Sequence, residues 1–96
     1  MITIDYDKNS IVVTGHANYA DNGKDIVCAG VSAIVMGAIN WFNDEDIVLS
    51  IDNTRKIELS LINKTKSNQE KINLILIQLK SIELKYKKNI KFKKGV

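Results

Sequence analysis

The chain has 96 residues, of which 45% are hydrophobic and 26% charged, with a formal net charge of +3. That balance fits a single domain over residues 1–96 with one modest core, and excludes a disordered chain or several large domains. No apolar run approaches the roughly 18 residues that span a bilayer, no signal peptide precedes the first strand pattern, and the lone cysteine has no internal disulfide partner, so a reducing, cytoplasmic setting without membrane contact is expected.

In chain order, Ile2, Ile4 and Tyr6 alternate with Thr3 and Asp5, which predicts a half-buried strand. Asp7-Lys8-Asn9 supplies a turn into a second strand over 11–14, making a hairpin. Asp25 to about Phe42 predicts a helix that is apolar nearly all round, with Ala29, Ala33 and Gly37 forming a small-residue face for the sheet, the second helix or a partner chain. The polar run 43–46 breaks the helix. Ile47, Leu49 and Ile51 then alternate as a third strand, 52–55 turns the chain, and Ile57, Leu59 and Leu61 make a fourth. A second helix is predicted from about Ser67 to Lys88, with Ser67 as N-cap and Glu70 completing a capping box. Its apolar stripe is Ile72, Ile75, Leu76, Leu79, Ile82 and Tyr86, while Leu74, Ile77 and Leu84 fall outside it and suit a homodimer contact. Ile90 to Lys93 ends the series as a short strand. The expected architecture is an α+β domain, a mainly antiparallel sheet with two helices on one face, in the order ββαββαβ.

The chemistry concentrates in residues 15–33, which hold the only histidine and the only cysteine. Asp25 is a good N-cap residue, and it places Cys28 in the first helical turn, where free N–H groups and the helix dipole favour a thiolate. His16 follows the second strand, and a loop bracketed by Gly15 and Gly23 can fold its imidazole back to the sulfur. The competing reading is a small buried cysteine packed against Ala29, Gly30 and Ala33.

Gly15-His16-Ala17-Asn18-Tyr19-Ala20, followed by Gly23-Lys24-Asp25-Ile26-Val27-Cys28-Ala29-Gly30-Val31-Ser32-Ala33, closely resembles the signature of the ribosomal-processing cysteine protease family Prp. The resemblance implies a small dimeric enzyme that removes the N-terminal extension of ribosomal protein twenty-seven of the large subunit, cutting after a pair of aromatic residues. It makes His16 the general base and Cys28 the nucleophile. Asp25 and Ser32 match companions of the motif; Asp25 caps the helix or orients the imidazole, and Ser32 bonds near the sulfur or to a backbone carbonyl. Gly15 and Gly23 match the loop glycines. The backbone N–H groups of Cys28 and Ala29 are the candidate oxyanion donors, and Ala17, Tyr19 and Gly23 belong to a mobile substrate loop. Relatives usually carry glycine where this chain has Gln78, and proline after the residue matching Tyr86; both departures concern helix packing rather than chemistry.

No cofactor is implied, and one histidine with one cysteine makes no zinc site of the usual ligand count. Residues 80–96 hold seven lysines against one glutamate. Contact with ribosomal RNA is the less favoured reading of that run; lysines that complement a helix end and guard an edge strand explain it more simply. The peptide partner is a ribosomal protein precursor. The alternative to a protease is a non-catalytic ribosome-associated binding module in which Cys28 only packs.

Overall fold

The first hairpin forms where the alternation places it. Strand β1 (Ile2–Asp7) and strand β2 (Ser10–Gly15) pair antiparallel in a computed structural model that describes residues 1–15, 25–52 and 56–95. Their turn is held by Asp7, whose Oδ1 accepts from the Asn9 N–H at 2.7 Å and the Ser10 hydroxyl at 3.1 Å. Helix α1 (Ile26–Ala38) follows, and its last turn tightens into a 3-10 turn over Ile39–Trp41. A second 3-10 turn over Asp44–Asp46 leads into β3 (Ile47–Ile51), then β4 (Ile57–Leu61), helix α2 (Lys66–Tyr86) and β5 (Ile90–Lys94).

The element order is the expected ββαββαβ, and the strands lie as β3-β4-β2-β1-β5. All neighbours are antiparallel except β1 and β5, which run parallel. One face of this sheet is apolar: Ile4 stands opposite Val13, Ile11 opposite Leu59, and Val13 opposite Ile57. Both helices cover that face. Val27, Val31 and Val35 of α1 and Ile72, Ile75, Leu76 and Leu79 of α2 join the strand residues in one buried cluster, each contributing about 1.5–3 kcal/mol through burial.

The helices also refine two sequence readings. The Ala29, Ala33 and Gly37 stripe of α1 is exposed in the single chain, and nothing described lies within 4 Å of a Cβ built on Gly37, so of the three covers expected neither the sheet nor α2 supplies it. The glycine that faces α2 is Gly30, where an added Cβ would meet Ile82 at 3.4 Å. A helix that is apolar all round offers no contrast from which to choose its inner side; here the branched valines won it.

Helix α2 begins two residues earlier than its capping-box pattern suggests. Thr65, not Ser67, is the N-cap, its hydroxyl accepting from the Asn68 N–H at 3.1 Å. Asn68 is buried and donates its side-chain amide to the Asn63 carbonyl at 2.9 Å, so it fixes the preceding turn and pulls the helix start upstream. The stripe itself is as expected: Ile82 and Tyr86 pack partly buried beside the core, and Leu74, Ile77 and Leu84 are exposed. Among the described residues, no helix is long and apolar enough to cross a membrane.

Candidate active site

Asp25 caps α1 as expected. Its backbone is extended, and its Oδ1 accepts from the N–H groups of Val27 and Cys28, each at 3.0 Å, satisfying two of the helix's otherwise unpaired donors. Cys28 therefore stands in the first turn, half-buried, with its backbone held to the cap.

This capping decides how the oxyanion candidates stand. The Ala29 N–H donates to the Asp25 carbonyl at 3.1 Å, the first bond of the helix ladder. The Cys28 N–H donates to the Asp25 side chain. The first is fixed by the helix ladder, whereas the second is held by a side chain.

Cys28 opens on a cavity of about 340 Å³ between α1 and the ends of four strands. Cys28, Ser32 and Met36, spaced four apart, form the α1 wall, and Ile2, Val13, Ile51 and Ile57 make an apolar floor. Gly15 closes one side. Its φ is +85°, and a Cβ there would lie 2.5 Å from the Met1 carbonyl oxygen, so glycine is required both by conformation and by space. Among the described residues of the lining, Asp52 supplies an acidic group, and its Oδ1 accepts from the Lys56 N–H at 3.2 Å.

Cys28, Ser32 and Gly15 are thus brought to one cavity, with Asp25 joined to Cys28 through its backbone. Ala29 points away from it and is exposed. His16, Ala17, Tyr19 and Gly23 lie outside the described residues. Sequence reasoning did not find Met36, Ile51 and Ile57. Met36 had a local signal, two turns beyond Cys28 on the same helical side; the two isoleucines had none, because strand order alone brings them to the thiol.

The lysines of residues 80–96 are partly explained by packing. Lys80 Nζ lies 5.4 Å from the Tyr6 ring centroid and 5.9 Å from that of Phe92, and Lys85 Nζ lies 5.8 Å from the Tyr86 ring, distances at which a cation is attracted to an aromatic face.

Comparison with known proteins agrees with this picture. Residues 1–91 match the family model of the cysteine protease Prp. The ribosomal processing cysteine protease Prp of Mycoplasma genitalium is 37% identical over 91 residues, covering 94% of this chain and 92% of the relative. That of Mycoplasma pneumoniae is 33% identical over 93 residues, covering 96% and 93%. A crystal structure of an essential ribosomal processing protease from Staphylococcus aureus, in complex with a covalently linked product peptide, superposes with a TM-score of 0.87 at 27% identity, covering 99% of this chain and 100% of the other. The same protease with a substrate peptide gives 0.81 at 26% identity, with the same coverage.

Proposed function

The chain belongs to the Prp family of cysteine proteases, and from that premise we propose that it removes the N-terminal extension of ribosomal protein twenty-seven of the large subunit, with Cys28 as nucleophile and His16 as general base. The observation that carries the reading is Cys28 in the first turn of α1, opening on an apolar cavity of about 340 Å³. A helix N-terminus favours the thiolate. An apolar floor of Ile2, Val13, Ile51 and Ile57 suits a large uncharged side chain next to the scissile bond, in keeping with a cut after paired aromatic residues.

In this reading the imidazole of His16 takes the proton from the Cys28 thiol. The thiolate attacks the scissile carbonyl carbon, and the carbonyl electron pair moves onto oxygen. Asp25 then yields the Cys28 N–H to that oxyanion. The intermediate collapses to a thioester as the C–N bond breaks, and the leaving amine takes the proton from His16. Water, deprotonated by the same imidazole, cleaves the thioester and restores the thiol. Ser32, one turn beyond Cys28 on the cavity wall, lies beside the reacting peptide.

The same reading places the protein in the cytoplasm, where its substrate is made and a free thiol persists. It also takes the exposed Leu74, Ile77 and Leu84 of α2 as surface that a homodimer covers. Ribosomal RNA is the less favoured partner, since lysines at the end of α2 and along the β5 edge serve the helix dipole and the protection of that edge.

Replacing Cys28 by Ala should lower cleavage of the extended ribosomal protein by at least about 1,000-fold while leaving the unfolding midpoint in place; retained cleavage would end the nucleophile assignment. Replacing His16 by Ala should move the pH dependence of Cys28 alkylation by iodoacetamide upward. An unmoved profile would remove His16 as the base. The binding-module alternative expects no cleavage by the unaltered chain, and steeply salt-dependent binding that Cys28→Ala does not alter.

A further inference from the structure

Strands β3 and β5 are the two edges of the sheet, and an edge strand presents unpaired backbone groups that another chain can join. Edge β5 reads Ile-Lys-Phe-Lys-Lys, with Lys91, Lys93 and Lys94 exposed, the usual protection of such an edge. Edge β3 reads Ile-Val-Leu-Ser-Ile. It has no charge, proline or glycine, and Val48, Leu49 and Ile51 are 53%, 36% and 51% exposed. Surface of this kind invites pairing and is not discouraged from it.

The register tells which groups face outward. The Ile62 N–H donates to the Asp46 carbonyl at 2.7 Å, and the Asp52 N–H donates to the Lys56 carbonyl at 3.2 Å. In an antiparallel pair, bonded and non-bonded residue pairs alternate, so Val48 and Ser50 are turned toward β4. Ile47, Leu49 and Ile51 point their N–H and C=O groups away from it. Both ends of the strand are pinned. At its start Asp46 accepts from the Asn63 side chain and, through its carbonyl, from the Asn63 N–H at 3.2 Å; at its end Asp52 is bonded to Lys56 through both backbone and side chain. The edge is a pre-formed template of about 17 Å for a five-residue strand.

Resting on the reading of Cys28 as nucleophile, we propose that this edge is where the substrate's main chain docks, as an extended sixth strand hydrogen-bonded to Ile47, Leu49 and Ile51. Continuity with the cavity identifies the occupant. Leu49 and Ile51 are on the helix-facing side of the sheet, yet exposed, and Ile51 is itself part of the Cys28 cavity floor. An extended peptide laid against β3 sends alternate side chains toward that same side and runs into the thiol at the Ile51 end. A second copy of the chain paired there would have no reason to meet the cavity. Main-chain pairing supplies affinity that is blind to side chains, and the apolar cavity supplies selection at one position.

The probe is a synthetic fluorogenic peptide with adjacent phenylalanines ahead of its scissile bond. Leu49→Pro removes an outward N–H without cutting the β3–β4 ladder. It should raise KM and lower kcat/KM by about tenfold, the worth of one good hydrogen bond, while iodoacetamide still labels Cys28 at the original rate. Should Leu49→Pro fail to fold, the unaltered enzyme still decides the matter: N-methylation along the peptide should weaken cleavage at every second nitrogen. Cleavage that tolerates methylation throughout, or falls without alternation, overturns the docking strand. So does a Leu49→Pro protein whose sedimentation mass drops to half, which would assign the edge to a second copy. Cys28→Ala run in parallel keeps the two readings apart, because undiminished cleavage there ends the nucleophile assignment, whereas methylation tolerance in a Cys28-dependent reaction ends only the docking strand.

Discussion

At one edge of the sheet, β5 places lysines at three of its five positions; at the other, β3 has five uncharged residues, with three large apolar side chains exposed. The β5 side carries an aromatic pair and, beside it, a separate cavity of about 400 Å³ lined by Tyr6, Lys94 and residues of α2. Tyr6 and Phe92 stack edge to face at 6.3 Å between centroids, with Lys80 over both rings. The β3 side holds the thiol and the apolar cavity on which it opens. A bare edge carries an aggregation risk that charges would remove cheaply. Its retention beside Cys28, and nowhere else on the sheet, points to use rather than neglect.

The largest stability effect that sharpens this contrast is expected at Leu59, which is fully buried on β4 and stands opposite both Leu49 of β3 and Ile11 of β2. Leu59→Ala should cost about 3 kcal/mol in urea unfolding, a sizeable share of a small domain's stability. Below its lowered midpoint the variant should still cleave, because the thiol and its cap are elsewhere.

Asp25 comes next. Asp25→Ala deprives the Val27 and Cys28 N–H groups of their acceptor and should cost about 1 kcal/mol. Asp25→Asn keeps an acceptor and should recover most of that stability. If both variants unfold at the original midpoint, the cap contributes nothing to the open side of the molecule.

A smaller change breaks the contrast from the other side. Lys91→Thr with Lys93→Thr strips the guarded edge, and light scattering should show concentration-dependent association that the parent lacks, with cleavage unchanged. A clear solution at every concentration would mean that charge is not what keeps β5 closed.

The smallest effect concerns pH at the start of β3. The hydrogen bond from Asn63, helped by Asn68 and the nearby Lys71 charge and opposed by desolvation, holds the Asp46 carboxyl below its ordinary 3.8. A carboxyl depressed on folding adds stability that is fully present above the unfolded value and lost as pH falls through the folded one. Acidification below about pH 4 should therefore loosen the start of β3, and Asp46→Asn should flatten that part of the stability profile. An identical acid limb in the variant would exclude Asp46 as its source.

Much of the fold was legible because its causes are local. Alternation over Ile2–Tyr6 and Ile57–Leu61 gave the strands and the buried side of each, and the α2 stripe gave the face that lies on the sheet. The parallel pairing of β1 with β5 was not legible, since nothing in either segment names its neighbour. The inner face of α1 was hidden by its uniform apolarity, and the start of α2 by a rival cap: Ser67 and Glu70 have the better pattern, but Thr65 is placed to serve Asn68, whose amide is tied to Asn63. At the site the same division holds. The Asp25 cap and the position of Cys28 follow from adjacent residues, whereas Ile51 and Ile57 reach the cavity only through strand order.

The most direct test mixes the protein with the extended form of ribosomal protein twenty-seven, quenches in acid during turnover, and measures the intact mass and its peptide map. The account predicts a new substrate N-terminus together with a thioester adduct on Cys28 that hydroxylamine removes. A new terminus formed at the same rate by Cys28→Ala, with no adduct on the parent at any time, would contradict it.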